Sequence, residues 1–340
     1  MLPMMPVTML DIARDVNVSV VTVSKVLRNQ GRISEATRKL VLRRAHELNY
    51  QMNWVARSLV TRRTYTIGLV LPEFAHPFFG EIARAVGRTI RPHGYHLLIS
   101  SFEEDPEVEA SEVDSLLARQ VDGLIIASAQ PERQLAMFKR VQQRKTPYVL
   151  IDRPVPGVRA CFVGVDNSAI GLLATEHLIK RGCRAIAHLR GPEVGIAEQR
   201  LEGYRRALVK AGMPLNPDYV VPGGRGDDSG YEGMRHLLQM QSPPDGVFCF
   251  NDPVAIGAMK AVLEAGLKLP CDVALVGAGN VHYSDVLSVP LTTIDQRTCK
   301  IGELASELLL TRISTKRILR PKTILIPPKL LERESTRRLP

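Results

Sequence analysis

The sequence lacks any apolar run long enough to cross a membrane, and its few cysteines form no recognisable site. No stretch approaches the roughly 20 apolar residues of a membrane span, and the N-terminus has no charged segment followed by an apolar one, as a secretory signal has. The five cysteines are scattered, without a CxxC pair, as is typical of buried free thiols in a reducing compartment. We expect a cytoplasmic protein without membrane contact.

Signatures of enzymes and metal sites are missing too. The sequence contains no P-loop, no GxSxG and no cluster of side chains with metal-ligand spacing. His93 and His96 are three residues apart, but Gly94 lies between them and no third ligand is evident, so we interpret them as surface or core histidines. We therefore predict no metal site.

One stretch resembles the start of a dinucleotide-binding fingerprint. Gly277-Ala278-Gly279 follows a strand-like run, but the position of the next glycine is taken by His282. Ser288 and Pro290 follow soon after and leave no room for the long helix that should hold a pyrophosphate. We predict neither an enzyme nor a bound cofactor.

The charge of the chain is concentrated at one end. At 340 residues, 45% of them hydrophobic, the chain is long for one domain and can bury sizeable cores. Residues 1–65 contain 11 Lys and Arg against 4 Asp and Glu, a net +7, whereas the remainder has 34 against 31, a net +3. A basic head on a nearly neutral body indicates a polyanionic partner at one end only.

Residues 8–27 have the pattern of two short helices joined by a tight turn. Thr8 is a good N-cap, and Asp11 completes a variant of the capping box that also suits the positive end of the helix dipole. The turn is predicted at Asn17-Val18, because Asn enters the left-handed region more readily than most residues. Ser19 is then the N-cap of the second helix.

The second helix is expected to bury one face and expose another. Its inward positions are Val23, Val26 and Leu27, and its outward positions are Val20, Val21, Ser24, Lys25 and Arg28. Exposed valines are unusual at a helix start, because Val is apolar and a mediocre helix former. A surface that meets thymine methyl groups, with Lys25 reaching a base edge or a phosphate, explains them. The alternative is an ordinary helix pair with a stray surface valine.

A third helix and a short hinge candidate follow. Ser34 caps a helix in which Val41, Ala45 and Leu48 recur at helical spacing. Its basic residues, Arg38, Lys39, Arg43 and Arg44, either form a solvated face or include phosphate contacts that position the head without specifying sequence. Residues 53–59 form the hinge candidate, which is too short for a stable isolated helix and is expected to order only against a partner.

The body alternates strand-like and helical stretches. Apolar strands are predicted at residues 67–71, 96–100, 123–127, 148–151, 162–165, 185–189, 247–250 and 273–276. Helices are predicted at residues 79–90, 107–119, 169–180, 201–211 and 254–265. Continuous apolar strands that alternate with helices favour parallel sheets covered on both faces. So many strands suit two doubly wound lobes better than one.

Ligand sites in such sheets lie beyond the carboxyl ends of the strands. This rule selects Phe74, Ser128, Asp152 with Arg153, and Asn251 with Asp252. Asp152 can instead pair with Arg153 or cap a helix, and Asn251 can cap the helix that follows. Their shared position at strand ends favours a pocket.

Motifs along nearly the whole chain resemble the lactose and purine repressor family of bacterial transcription regulators. The head matches in VTMLDIARDVNVSVVTVSKVL, RISEATRKLV and NWVARSL. The body matches in Thr66-Ile67-Gly68-Leu69-Val70, His76-Pro77-Phe78-Phe79, Arg200-Leu201-Glu202-Gly203-Tyr204, Asn251-Asp252 and Pro290-Leu291-Thr292-Thr293-Ile294. The resemblance implies an all-helical N-terminal domain with a helix-turn-helix, followed by a two-lobed, doubly wound parallel-sheet domain like that of periplasmic binding proteins.

The resemblance also implies roles for particular residues. In the family, the hinges of two subunits pair in the minor groove and insert a leucine between base steps, and Leu59 matches that position. The residues expected to contact DNA are Thr8, Ser19, Val20, Val21, Thr22, Ser24, Lys25, Asn53, Ala56, Arg57 and Leu59. The residues expected to contact an effector are Phe74, His76, Phe79, Ser128, Asp152, Arg200, Arg225, Asn251 and Gly279. The alternative for Leu59 is packing against the body.

The sequence departs from the family at two ligand positions. The family usually shows Gly-aromatic-Asp-Asp/Asn after the strand at residues 273–276, and its first Asp holds ligand hydroxyls, but here the run is Gly277-Ala278-Gly279-Asn280. Arg225 falls where relatives often carry an aromatic residue that stacks on the ligand. We hypothesise an acidic or unusual ligand, or loss of ligand control.

These expectations combine into one hypothesis. The predicted domains are a DNA-binding head at residues 1–50, a hinge and linker at 51–64, and an effector-binding and dimerisation body at 65–340. A homodimer would present two heads to a palindromic operator in double-stranded DNA, and a sugar, sugar acid or other metabolite would change its affinity. We predict a transcription regulator that acts as a repressor. The alternative is a sugar-like binding protein without a DNA role.

Overall fold

The chain folds into two compact units, residues 1–64 and residues 65–340. The computed structural model describes residues 7–27, 30–50, 63–131, 135–193, 195–315 and 319–337. The hinge candidate, with Asn53, Ala56, Arg57 and Leu59, lies outside the described residues, as does Arg28. No helix in the described ranges is long and apolar enough to cross a membrane.

The first unit contains the three predicted helices. They are α1 (Met9–Asp15), α2 (Val20–Leu27) and α3 (Glu35–Glu47). Thr8 and Asp11 form the capping box at the start of α1, and Ser34 accepts a hydrogen bond from the Thr37 backbone at the start of α3. Asn17 has a φ of +49°, which confirms the predicted left-handed turn between α1 and α2.

A small apolar core holds these helices together. Ile12 from α1, Val23 and Val26 from α2, and Val41 from α3 are at most 2% exposed. Arg44 of α3 adds a polar connection, because its guanidinium lies 2.7 Å from the carboxylate of Asp15, the last residue of α1. Arg44 therefore holds α3 against α1 rather than forming part of a purely solvated charge run.

The second unit contains two six-stranded sheets. Their strands are β1 (Thr66–Leu71), β2 (His96–Ser101), β3 (Gly123–Ile126), β4 (Tyr148–Ile151), β5 (Cys161–Val165), β6 (Ile186–Gly191), β7 (Val220–Pro222), β8 (Gly246–Cys249), β9 (Ala274–Ala278), β10 (Thr292–Asp295), β11 (Thr323–Ile326) and β12 (Lys329–Leu331). The helices are α4 (Pro77–Ile90), α5 (Pro106–Ala118), α6 (Ala136–Gln143), α7 (Asn167–Lys180), α8 (Gly195–Lys210), α9 (Asp227–Leu238), α10 (Asp252–Glu264) and α11 (Thr298–Ser314).

Each sheet belongs to one lobe. The N-terminal lobe has the strand order β11-β5-β4-β3-β1-β2, with every pairing parallel. The C-terminal lobe has the order β12-β10-β9-β8-β6-β7, in which only β12 runs antiparallel to its neighbour. Two doubly wound lobes are therefore confirmed. The eight-strand pattern missed β7, β10, β11 and β12, of which β7 and β12 are only three residues long.

The chain crosses between the lobes three times. It leaves β5 for α7, leaves β10 for α11, and leaves β11 for β12. Buried apolar side chains cover both faces of each sheet, as the continuous apolar strands predicted. Since the order of each sheet reverses near β1 or β6, the carboxyl ends of the strands provide crevices for polar side chains.

Candidate functional site

In the first unit, the start of α2 presents an exposed apolar surface. Val20 is 37% and Val21 61% exposed, whereas Val23 on the same helix is completely buried. Lys25 is exposed, and Thr22 and Ser24 are half-buried. The predicted division of this helix into an inward and an outward face is therefore confirmed for its valines.

Side-chain hydroxyl groups cap the N-terminal ends of α1 and α2, next to this surface. The Ser19 Oγ accepts a hydrogen bond from the Thr22 backbone at 3.0 Å, and the two side-chain hydroxyls lie 2.9 Å apart. The Thr8 hydroxyl donates to Asp11 at 2.7 Å. These caps fix the orientation of both helix starts, where backbone N–H groups remain for an anion such as a phosphate.

In the second unit, polar side chains from both lobes converge on a cavity. The N-terminal lobe contributes His76, Phe78, Phe79, Asp152 and Arg153; the C-terminal lobe contributes Ile196, Arg200, Arg225, Phe250 and Asn251; and Gln296 comes from the crossover after β10. Six of the nine predicted effector contacts are therefore brought together. The cavity measures about 40 Å³, which is room for a few water molecules, since one needs roughly 10–15 Å³.

Asp152 directly follows β4, has a left-handed backbone conformation and pairs with its neighbour Arg153. Its φ is +63°, and its carboxylate lies 3.3 Å from Nε of Arg153. Asp152 is 6% exposed, so the pairing holds a carboxylate that would otherwise be buried alone. Asp152 therefore forms the salt bridge with Arg153 and also lines the cavity, two arrangements that the sequence left as alternatives.

Glu104 joins two arginines from opposite lobes. Its carboxylate accepts hydrogen bonds from Nη1 of Arg153 at 2.8 Å and from Nη2 at 2.6 Å. The same carboxylate also accepts from Nη1 of Arg225, which follows β7 in the C-terminal lobe. Burial lowers the pKa of Arg225, and the charge of Glu73 opposes that shift. Glu104 therefore links the lobes at the edge of the cavity.

Arg200 lies inside α8, which begins at Gly195, six residues before the predicted start. It is 2% exposed; Nε donates to Asn167 at 2.9 Å, Nη2 donates to Gln296 at 3.1 Å, and Nη1 donates to the Phe250 carbonyl. Burial lowers its pKa to about 10, against the charges of Asp152 and Asp252. Arg200 therefore keeps its positive charge at neutral pH among uncharged hydrogen-bond partners.

A close helix crossing brings Arg200 and Asn167 together. A Cβ at Gly203 of α8 would lie 2.1 Å from the carbonyl oxygen of Ser168 in α7. Only glycine permits this approach, because any side chain would collide with backbone atoms. The Arg200-Leu201-Glu202-Gly203-Tyr204 motif thus contains both the cation and the residue that positions it.

His76 and Asn251 cap two helices and meet in the cleft. Nδ1 of His76 accepts a hydrogen bond from the Phe78 backbone at 3.2 Å, and Oδ1 of Asn251 accepts from the Val254 backbone at 2.9 Å. The His76 Nε2 and Asn251 Nδ2 atoms lie 3.3 Å apart. Burial, with the charges of Arg225 and Arg200, lowers the pKa of His76 to about 4, so His76 is neutral at pH 7.

Three predicted effector contacts do not line this cavity. Phe74 is 61% exposed. Ser128 is buried, and its Oγ accepts a hydrogen bond from the Gln130 backbone at 3.1 Å. Gly279 has a φ of +150°, and a Cβ there would lie 3.3 Å from Oδ2 of Asp252.

Asp252 explains the environment of Gly279. This completely buried carboxylate accepts hydrogen bonds from the Thr293 hydroxyl at 2.5 Å, the Val281 backbone at 2.9 Å and the Ser284 hydroxyl at 2.9 Å. Burial raises its pKa, and these hydrogen bonds oppose the shift. An aspartate at position 279 would place a second carboxylate beside the first in a conformation that favours glycine.

Sequence reasoning missed several residues of the cleft. Glu104 follows β2 and Gln296 follows β10, so the strand-end rule that selected Asp152 could have found both. Arg153 was selected by the strand-end rule beside Asp152 but was not among the expected effector contacts. Phe250, whose ring lies 4.7 Å from the Arg200 guanidinium, directly precedes Asn251. Phe78 lies in the His76-Pro77-Phe78-Phe79 motif, whereas Ile196 carries no sequence signal beyond an apolar helix position.

Sequence comparison identifies both parts of the chain. Residues 8–53 match the sequence model of the family described as bacterial regulatory proteins, lacI family. Residues 175–336 match that of the periplasmic binding protein-like domain. The first match contains the exposed surface of α2, and the second contains Arg200, Arg225 and Asn251 from the cleft.

Similar proteins extend over nearly the whole chain. The sequence is 35% identical to the ribose operon repressor of Halalkalibacterium halodurans over 334 residues, which cover 97% of each chain. It is 34% identical over 336 residues to the HTH-type transcriptional repressor PurR of Actinobacillus pleuropneumoniae serotype 3, covering 98% of this chain and 99% of that one. The crystal structure of the Lac repressor dimer bound to operator and the anti-inducer ONPF is similar with a TM-score of 0.86 and 28% identity, over 98% and 99% of the chains.

Proposed function

Because this chain belongs to the lacI family of bacterial transcription regulators, we propose that residues 1–50 form its DNA-binding head, residues 51–64 its hinge and linker, and residues 65–340 its effector-binding and dimerisation body. The protein is a DNA-binding transcription regulator whose operator affinity is modulated by a small-molecule effector. It is not an enzyme, since its relatives are transcriptional repressors. The alternative of a binding protein without a DNA role is wrong for the same reason.

The outward face of α2 reads the operator. The methyl groups of Val20 and Val21 suit thymine methyls in the major groove, and Lys25 reaches a base edge or a phosphate. Thr8, Ser19, Thr22 and Ser24 lie at or near the capped helix starts and contact the DNA backbone. Asn53, Ala56, Arg57 and Leu59 complete the set of proposed contacts in the minor groove.

Two copies of the chain bind one operator. A symmetric dimer presents two heads to two half-sites about one helical turn or a multiple of it apart, so the operator is expected to be palindromic. This arrangement agrees with the operator-bound dimer of the structurally similar Lac repressor. We place the protein in the cytoplasm, where operator DNA is accessible, and we expect it to repress.

The effector binds between the lobes. The observation that carries this proposal is the convergence of Asp152, Arg200 and Asn251, from strand ends and a helix of both lobes, on one cavity. Because the cavity measures only about 40 Å³, a ligand of monosaccharide size requires the lobes or the lining side chains to move. That movement would couple effector binding to the heads, with a coupling free energy of about 1 to 3 kcal/mol.

The lining chemistry favours an acidic effector, such as a sugar acid, over a neutral sugar. Arg153, Arg200 and Arg225 bring three guanidinium groups to the cleft, and guanidinium binds carboxylate or phosphate through paired charge-assisted hydrogen bonds. No side chain at Gly279 can accept hydrogen bonds from sugar hydroxyls. A thermal-shift screen in which neutral hexoses alone stabilise the protein strongly would contradict the acidic effector.

Operator selection tests the proposed function. The purified protein would be incubated with random DNA duplexes at fixed salt, with and without a mixed metabolite pool, and the bound sequences would be recovered. We expect a palindrome whose occupancy changes with the pool. A palindrome indifferent to the pool would favour a regulator that has lost ligand control, and no enriched sequence would overturn the proposed operator reading.

A further inference from the structure

One carboxylate occupies the position where two cleft arginines converge. Glu104 from the N-terminal lobe contacts Arg153 of the same lobe and Arg225 of the other. The side chains of Arg153 and Arg225 are 10% and 16% exposed, and that of Glu104 is 33% exposed. We call this arrangement the Glu104 bridge. Its more exposed member is therefore the carboxylate, while the cations lie deeper.

The backbone directs Glu104 toward the arginines at an energetic cost. Glu103 and Glu104 have φ values of +50° and +64°, in the left-handed region that non-glycine residues avoid. Both ends of this short loop are fixed, because Phe102 is 1% exposed and Asp105 caps α5 through the Glu107 backbone at 2.8 Å. Strained backbone of this kind concentrates at ligand clamps and switch regions.

Without Glu104, the cleft would have an excess of positive charge. Arg153, Arg200 and Arg225 line the cavity, and among the lining residues the one carboxylate is Asp152. Arg200 is held by Asn167, Gln296 and a carbonyl, none of which carries a charge. An anion is therefore needed near Arg153 and Arg225, and Glu104 supplies it from within the chain.

We propose that the Glu104 carboxylate stands in for the acid group of the effector, and that an effector carboxylate or phosphate replaces it between Arg153 and Arg225. This inference rests on the proposed effector site between the lobes. Displacement of Glu104 removes its link between the lobes and transfers both guanidinium groups to the ligand. A neutral hydroxyl can accept hydrogen bonds from both guanidinium groups but brings no negative charge, and a buried charge without a partner is costly.

The position of the Glu104 bridge makes it a switch between two cleft states. In the state described, Glu104 spans the lobes and the cavity is nearly filled by side chains. In the effector-bound state, the acid group would bind both arginines and the Glu104 side chain would face solvent. A ligand shifts such an equilibrium only through its differential affinity for the two states, and here the differential contact is with Arg153 and Arg225.

A matched pair of glutamate variants tests the proposal. Glu104→Gln removes the competing carboxylate, whereas Glu103→Gln removes the same charge from the neighbouring exposed residue, which has a similar φ. Binding of D-gluconate, glucose 6-phosphate, inorganic phosphate and neutral D-glucose would be measured by titration calorimetry on the full-length protein without DNA. The melting temperature of each variant reports whether it folds.

We expect E104Q to bind at least one of the three anions about tenfold more tightly than E103Q, because an internal competitor that occupies the subsite in nine molecules of ten lowers apparent affinity by that factor. E103Q should match the wild type, and D-glucose should not distinguish the two variants. Adding Arg225→Gln to E104Q should remove the gain. Should E104Q fail to fold, Glu104→Asp, which is too short to reach both arginines, should give a smaller gain.

Three results would overturn the proposal. E104Q could bind none of the anions more tightly than E103Q; it could bind them more weakly, which would make Glu104 a direct ligand contact; or it could bind D-glucose with the same gain, which would reflect a loosened cleft. None of these results affects operator selection by the wild type. Failure of the Glu104 proposal is therefore distinguishable from failure of the proposed DNA-binding function.

Discussion

The side chains proposed to read DNA are largely exposed, whereas those proposed to hold the effector are buried. Val21 is 61% exposed, and Lys25 projects from the same helix, so neither fills a core. Asp152, Arg200 and Asn251 are 6%, 2% and 4% exposed. Each also has a structural contact: Asp152 pairs with Arg153, Arg200 donates hydrogen bonds to Asn167 and Gln296, and Asn251 caps α10. The operator-reading surface can therefore change without altering the fold, whereas a change in the cleft alters stability and binding together.

The largest expected effect is at the buried carboxylate behind the cleft. Asp252→Ala leaves the Thr293 and Ser284 hydroxyls and the Val281 N–H without their acceptor, and we expect a loss of about 3 to 4 kcal/mol in the free energy of unfolding. Urea unfolding measures it. The exposed Asp285, next to Ser284 in the sequence, is the control, and its alanine variant should stay within about 0.5 kcal/mol of the wild type. Equal losses of unfolding free energy in the two alanine variants would contradict this prediction.

The next effect is a pH dependence at the cleft. Because the pKa of His76 is about 4 in the fold against 6.5 ordinarily, the unfolded chain takes up the proton first. The stability that neutral His76 provides is complete above about pH 6.5 and is lost as the pH falls toward 4, by about 2 to 3 kcal/mol. Wild type should therefore lose more stability than His76→Gln over this range. The exposed His93→Gln should follow the wild type, and parallel curves for all three would contradict the prediction.

Two valines of α2 separate folding from recognition. Val23→Ala opens space in the small core of the head and should lower its free energy of unfolding by about 2 kcal/mol. Val21→Ala removes exposed methyls, so head stability should change by at most about 0.5 kcal/mol while specific operator affinity falls by about 1 kcal/mol. Hydrogen exchange of residues 9–45 and operator titration on the full chain measure the two quantities. A Val21→Ala variant with clearly faster hydrogen exchange in the head would contradict the prediction.

Lys25 on the same helix separates base reading from phosphate contact. Lys25→Ala should lower operator affinity by about 1 to 3 kcal/mol if the side chain reads a base edge, with less change on random DNA. Titrations on both DNAs at the same salt concentration measure this difference, and Lys39→Ala, at an exposed position of α3, controls for general loss of charge. An equal loss on operator and random DNA would instead assign Lys25 to a phosphate.

Local sequence patterns were sufficient for most elements of the fold. Capping residues and apolar spacing predicted the three head helices, and the Asn17 turn has the expected positive φ. Continuous apolar runs predicted the central strands, because strands buried on both faces have no polar alternation. Short edge strands such as β7 and β12 were missed, since three residues carry too little periodicity to recognise.

The cleft shows a clearer limit of sequence reasoning. The strand-end rule and the family resemblance selected Asp152, Arg200, Arg225 and Asn251, and all four line one cavity. Neither line of reasoning singled out Glu104. The strand-end rule admits it after β2 as one candidate among several, but its pairing with two arginines 49 and 121 residues further along the chain exists only in the folded protein. Contacts at such separations leave no local pattern.

The sequence by itself determined that a basic helical head precedes two doubly wound lobes and that Gly279 offers no carboxylate. Only the tertiary structure decided that Asp252 is buried beside Gly279 with hydrogen bonds to its own chain and that Glu104 holds Arg153 and Arg225 together. The physical reason is that backbone preferences and apolar periodicity act between neighbours in the sequence, whereas the pairing of buried charges depends on which distant side chains the packed sheets bring within hydrogen-bond distance.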